Sequence, residues 1–499
     1  MYLKRFTLFI SILFFNLIST SSWTQGRVIG NVEGSVETYV NSNGYLTVYE
    51  EEGQKGKLRN YTIDIMDFYL DKVLSTRTEL FKNTSTLSAA VNDEACAIAF
   101  INMVKDFVVV RSFGKNGGFL GEIKLEKVKT LSEQYAALFT IVKIYEAKDG
   151  FFILAGIESH DINRYAFEII KVDNSMNELW RKRIGRENKA VYHKDILVDH
   201  EGNLLITYQE GRGMKESNFS QHVIKINDEG QTMFDQQYSE GLEFVARQVK
   251  TYGDEVMLFG QYIDENRNLE GLFVKVYNHT GNLVKDVKYN WKNEITSLID
   301  PGNNDELEKI QKSEQYIFND VVKTEKGYKI IAETFESRHS IGSTGSKIKK
   351  ASSSLSLTNF IKFGSFVVVE INKSLGIEGV QVVKNDAMEI MIPKSTDLSQ
   401  LGYYSMVYDM SHFRYVDKLE NRIVFVFQST MDGVIPKASL CATDISNDDE
   451  YLENESQNDV YTNMGFVTAF GYMTSDELGK ITLYYRKKNQ IEFTQIELL

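Results

Sequence analysis

Residues 149–180 read DGFFILAGIESHDINRYAFEIIKVDNSMNELW, and this stretch decides the fold. An Asp-Gly turn runs straight into the apolar strand Phe151-Phe152-Ile153-Leu154. A polar loop follows, a second β-prone run ends on Lys171-Val172-Asp173, and after a further turn the chain restarts at Leu179-Trp180. Tight turns alternating with runs of β-branched and aromatic residues are the signature of antiparallel hairpins.

The same turn-plus-strand signal recurs along the chain. Earlier instances are Asn43-Gly44 before Tyr45-Leu46-Thr47-Val48 and Asp93-Glu94 before Ala95-Cys96-Ala97-Ile98. Later ones are Glu201-Gly202, Gly253-Asp254, Lys326-Gly327, Glu420-Asn421 and Leu478-Gly479, each followed by an apolar run, which makes eight. The first five lie 50 to 56 residues apart, the length of one four-stranded antiparallel sheet with its loops. A second landmark keeps step: 28 residues separate Gly202 from Gly230, and 28 separate Gly253 from Gly281. One such sheet cannot bury both of its faces alone, so equal units must stack on one another. The expected fold is therefore all-β, a β-propeller of about eight four-stranded blades, with seven as the alternative if one landmark is misread. The last unit holds three strands, and closure is expected to borrow a fourth from residues 27–32, leaving no open edge.

The unit resembles the repeat of exported bacterial β-propellers, in which an apolar strand, a Gly, a loop, a strand ending Lys-Leu-Asp, a turn and a Trp make each blade. Ile153-Leu154-Ala155-Gly156, then Phe167 to Asp173, then Leu179-Trp180 carry that resemblance. It is good over residues 139–290 and weaker elsewhere, with Phe234 and Val284 standing where Trp180 stands. The resemblance implies a fold and a compartment, and fold alone does not carry function.

The N-terminus supports the compartment. Lys4 and Arg5 precede an apolar run over residues 6–18 and then Ser19-Thr20-Ser21-Ser22, the three-part layout of a secretory signal. We expect residues 1–24 to be a signal peptide cleaved before Gln25, and residues 25–499 to form a single propeller with insertions near 300–315 and 337–362. The protein is then exported, to the periplasm, the cell surface or the medium, with no membrane span after cleavage. The only cysteines, Cys96 and Cys441, each sit in an apolar strand-like run and read as buried free thiols, so the fold is expected to tolerate reducing agent. The first insertion has helical spacing at Leu307 and Ile310. The second is Ser-rich and basic, holding Lys347, Lys349 and Lys350, and reads as a mobile loop.

A net charge of −13 and a pI near 5.3 argue against a nucleic-acid partner, which needs a dense basic face. His-Glu-x-x-His, Gly-x-Ser-x-Gly and phosphate-cradling glycine loops are missing from the sequence, and no cofactor or metal is called for. Trp23, Trp180 and Trp291 are too few for quinone-dependent dehydrogenase propellers, and no turn carries the sialidase Ser-x-Asp-x-Gly-x-x-Trp pattern. Asp264, Asn266, Asn268 and Glu270 alternate like calcium ligands but lack the bend glycine, so a solvated hairpin tip is the simpler reading. The acidic residues between Asp444 and Glu455 read likewise as a solvated loop.

One constellation comes from the repeat itself. Counting back about seven residues from each turn reaches Glu37, Leu87, Lys143, Asp195, Ala246, Asp320, Arg414 and Met473 on the presumed innermost strands. Glu37, Lys143, Asp195, Asp320 and Arg414 are charged and are candidate binding residues at a mouth of the central channel, with His193 and Asp409 close enough in sequence to join them. Alternatively, opposite charges there pair between neighbouring blades and neutralise one another. The function expected is non-enzymatic binding of a protein or glycan partner in the cell envelope; the alternative is a hydrolase or lyase whose site is assembled from blade loops.

Overall fold

The apolar runs form the second strand of each sheet, and their surroundings explain their composition. Ala95–Asn102, reading ACAIAFIN, and Leu204–Gly211 are buried along their whole length, because neighbouring sheets cover both faces of a middle strand. The outer strand Glu178–Ile184 is mostly exposed or half-buried, as an edge strand with one wet face should be. The computed structural model describes residues 23–497 apart from short stretches, the longest being 126–141, 340–358 and 393–412.

The described strands form eight sheets, seven of four strands and one of six; the pairing is antiparallel except where Tyr451–Leu452 joins Ile377–Val383 in parallel. Each turn landmark falls between the first and second strands of one sheet, as between Ala190–Val198 and Leu204–Gly211. The innermost strands touch in succession from Val32–Asn41 through Ser85–Val91, Val142–Ala147, Ala190–Val198, Phe244–Tyr252 and Tyr316–Lys323 to Phe413–Lys418, and Val467–Thr474 of the last sheet touches Val32–Asn41 of the first. This is the radial arrangement of a β-propeller. Apolar clusters fill the spaces between successive sheets; between the third and fourth, Phe152, Phe167 and Ile169 meet Ile206 and Ile224.

Closure uses a strand from the chain's start, Trp23–Ile29, which pairs antiparallel with Gln490–Glu497 and completes the last sheet. The strand lies slightly earlier than the 27–32 expected, since Val32 already opens the first sheet. Residues 25–29 of this strand pair with residues 491–495. Beside this strand Tyr45, Met66 and Leu70 pack with Ile29 and Phe493, and the Tyr45 hydroxyl lies 2.7 Å from that of Thr482.

Four of the described turns between third and fourth strands share one design. An Asp or Asn side chain accepts backbone N–H bonds from two and four residues on, as Asp67, Asp173, Asn278 and Asn372 do, an Asx turn. The residue three places on has positive φ, namely Leu70, Met176, Gly281 and Leu375, as does Gly230 in the turn of the fourth sheet. Its identity is set by the preceding sheet. Trp180 lies against Gly230 and Phe234 against Gly281, where a Cβ would come within 2.8 Å and 2.6 Å of a ring atom. In the third and sixth sheets Met176 and Leu375 stand in this place and are buried. Trp180 is further held by its Nε1–H, which donates to the Asp228 carbonyl at 2.8 Å.

The insertions are local. The first contains a helix, Asp305–Lys312, that buries Leu307 and Ile310, preceded by a π-helical turn at Trp291–Ile295. Trp291 stacks on Tyr316 with ring centroids 4.2 Å apart. At the second insertion the strands Gly327–His339 and Asn359–Asn372 pair out to His339 and Asn359, so they run further than expected and part of 337–362 is sheet. Residues 340–358 lie outside the described residues. Among those described, no helix is long and apolar enough to cross a membrane.

Candidate functional site

The counted channel positions are not structurally equivalent, because most innermost strands carry a β-bulge. Register shifts fall between Thr86 and Ser88, His193 and Asp195, Ala246 and Gln248, Phe318 and Asp320, and Phe413 and Tyr415. An extra residue turns the side chains that follow it to new directions. Leu87 and Arg414 are therefore the extra residues, Ala246 precedes a bulge, and Asp195 and Asp320 follow one. Ser88 and Gln248 occupy the place of Asp195 and were missed, since a bulge leaves no trace in composition.

Residues in that place stitch one sheet to the next. Ser88 Oγ accepts from the Ile144 N–H at 3.0 Å, Asp195 Oδ2 accepts from the Val249 N–H at 2.8 Å, and Gln248 Nε2 donates to the Asn319 carbonyl at 3.3 Å. Charge alternates along the same row. Burial pushes the Asp195 carboxyl up to about 6, while its backbone hydrogen bonds and the charges of Lys250 and Lys143 act the other way. Burial also lowers Lys143, with Asp195 opposing. Lys250 Nζ stands 3.6 Å from Asp320 Oδ1. The structure thus brings Lys143, Asp195 and Asp320 into one row over the third to sixth sheets. Glu37 lies opposite Val48 on its strand and His193 opposite Tyr208; the side chains of Glu37, Arg414 and His193, and Asp409 altogether, are outside the described residues.

A second polar constellation lies between the third and fourth sheets, in a cleft of about 400 Å³. Gly185 shapes its entrance. With φ +85° and Val191 so close that a Cβ would overlap it at 2.2 Å, this residue lets the chain turn tightly from the outer strand of the third sheet to the inner strand of the fourth. The turn carries Arg186 and Lys189 over Glu210. The Glu210 side chain is 1% exposed, and it accepts from the Arg186 N–H at 2.7 Å and from Lys189 Nζ at 3.3 Å.

The floor is a cross-strand row of Tyr208, His222 and Gln237. Tyr208 and His222 stack with centroids 4.8 Å apart. The Tyr208 hydroxyl donates to Asp235 Oδ2 at 2.9 Å; burial and the Asp235 charge raise its pKa well above the ordinary phenol value. His222 is 7% exposed, and neither ring nitrogen makes a hydrogen bond; Nδ1 lies 3.4 Å from Asp235 Oδ1. Strand alternation puts the apolar residues Ile206 and Ile224 on the same face, so the polar cleft continues the packed space between the sheets. Sequence reasoning missed this site. Its one legible trace is the density of cations between Arg181 and Lys189, with Lys182, Arg183 and Arg186 between them, in a chain of net charge −13.

Among the described residues no group of three or more His, Cys, Asp or Glu side chains could hold a metal ion. Residues 264–268 lie outside those described; Glu270 accepts from Asn290 at 3.0 Å. Cys96 is a free, buried thiol.

Residues 27–423 match the model of a family of unknown function, DUF6770, and the chain belongs to that family. No curated protein matches it. Among solved structures, the β-propeller domain of the Trilobed protease from Pyrococcus furiosus is similar at 9% identity and a TM-score of 0.37, over 85% of this chain and 98% of that one. A prolyl endopeptidase is similar at 9% identity and 0.42, over 93% of this chain and 53% of that one. An acylaminoacyl peptidase in complex with Z-Gly-Gly-Phe-chloromethyl ketone gives 9% and 0.36, over 92% of this chain and 58% of that one. This chain spans little more than half the length of either peptidase. Similarities at this level carry no argument about the site.

Proposed function

We propose that this DUF6770 chain is an exported, non-enzymatic β-propeller of eight blades that binds a protein or glycan partner in the cell envelope. The cleft between the third and fourth sheets carries this reading. It is concave, polar and about 400 Å³ in volume, within the roughly 300–1,000 Å³ of ordinary ligand sites. The charged channel row supports it from the other side, because Asp195 is engaged in holding the next sheet's backbone and reads as structure. Export rests on the signal-like residues 1–24 alone.

Expression of the full chain, fractionation and sequencing of the mature N-terminus test the export half, with Gln25 expected first. Sedimentation of the mature chain with isolated envelope polysaccharide, and separately with envelope proteins, tests the binding half. A cytoplasmic, uncleaved product, or no association with either material, would reject the reading.

One observation favours a second reading, a hydrolase or lyase. Glu210, Asp235 and His222 line the same cleft, and convergent carboxylates beside an imidazole are the usual means of general acid and base catalysis. Catalytic turnover of a bound saccharide or peptide, lost in Asp235→Asn, would replace the first reading with this one.

A further inference from the structure

Lys182, Arg183 and Arg186 line the cleft, with Lys189 beside them, and the deeply buried anion Glu210 is already engaged. Glu210 is held by the Arg186 N–H and by Lys189. Lys182 Nζ donates to the Gly230 carbonyl at 3.0 Å, which leaves its charge uncompensated by that bond. The Arg186 side chain is 69% exposed, with Nε 3.7 Å from Glu210 Oε2, so the outer edge of its guanidinium fork faces outward. A planar fork of this kind suits a carboxylate.

The floor has a different character. Asp235 accepts only, the Gln237 side chain both donates and accepts, and His222 can do either. The buried His222 ring faces Asp235 Oδ1 with Nδ1 at 3.4 Å, and neither nitrogen completes a hydrogen bond; a buried polar group left so needs an explanation. A ligand rich in hydroxyls, each of which donates and accepts, fits a mixed set of this kind, whereas a simple anion would be repelled by Asp235. The ligand must therefore carry an anionic end for Arg186 and Lys182 and hydroxyls for Asp235, Gln237 and His222.

We propose that the cleft between the third and fourth sheets binds an acidic saccharide, a sugar bearing a carboxylate, with Arg186 and Lys182 taking the carboxylate. This rests on the binding reading above and narrows it to one ligand class and one place.

The test is calorimetric titration of the full mature chain with uronic-acid oligosaccharides, with neutral hexose oligosaccharides of equal length, and with inorganic phosphate and acetate. The uronates are expected to bind, and Arg186→Gln to weaken them about tenfold or more, the loss of one charge-assisted contact. His222→Phe keeps the stack on Tyr208 and should weaken the uronates several-fold, with the unfolding midpoint unchanged or raised. Failure of the uronates to bind, equal affinity for the neutral oligosaccharides, equal affinity for phosphate or acetate alone, or an unchanged affinity in Arg186→Gln would each overturn the proposal. The two readings separate cleanly. Envelope polysaccharide that sediments equally well with wild type and with Arg186→Gln would sink the cleft assignment and leave the broader reading standing.

Discussion

Replacing Gly230 by Ala probes how one sheet seats on the next. The turn holds Gly230 at φ +83°, and a side chain in that left-handed region costs about 1–2 kcal/mol. The added Cβ would also lie 2.8 Å from Trp180 Cδ2. The ring cannot simply swing away, because its Nε1–H is bonded to the Asp228 carbonyl; overpacking of this kind costs about 1–3 kcal/mol. Gly253→Ala is the control, since φ is +62° and nothing lies within 4 Å of its Cβ. We expect about 1–2 kcal/mol from Gly253→Ala and about 2–5 kcal/mol from Gly230→Ala, read from urea midpoints at constant slope. Trp180→Leu should recover much of the difference when combined with Gly230→Ala, a coupling that additive sites would not show. Equal costs for the two glycine variants, or strict additivity with Trp180→Leu, would refute the seating of Trp180 on Gly230.

The remaining predictions concern the channel, the thiol and the long hairpin. The Asp195 carboxyl titrates near 6 in the folded protein and near 4 unfolded, so its favourable contribution is complete below about pH 4 and is lost as pH rises through about 6. Asp195→Asn should therefore gain on the wild type between pH 4 and pH 8, by about 3 kcal/mol at most, and a pH-independent difference in unfolding free energy would contradict this. Burial pushes the Cys96 thiol up to about 12, so it should resist alkylation in the native protein and react on denaturation; rapid native labelling of Cys96 by mass spectrometry would show the site to be open. Deleting residues 340–358 and joining His339 to Asn359 by a short turn should shift the thermal midpoint by only a few degrees, because these two residues are already paired and loop length costs little. A collapse of the unfolding transition would place that segment in the core.

What was local in the chain was legible in the sequence. A turn followed by a run such as Phe151-Phe152-Ile153-Leu154 needs only its own residues to form a hairpin, so eight such signals correspond to eight sheets and their spacing implied a ring. Leu307 and Ile310 marked the inserted helix for the same reason, through helical spacing alone. The site was different. Whether Asp195 or its neighbour reaches the next sheet depends on one extra residue in the strand, Lys194, and a bulge is chosen by the fit of neighbouring sheets, which no local pattern records. The cleft joins Arg186 to Tyr208, His222 and Asp235, residues on separate strands of two sheets that acquire a common environment only when the sheets pack. The reason Gly230 is a glycine lies in Trp180, and that of Gly281 in Phe234. Hairpins are decided by short-range propensity and alternation, whereas seating, bulges and clefts are decided by contacts between units far apart in the chain, and those exist only once the ring has closed.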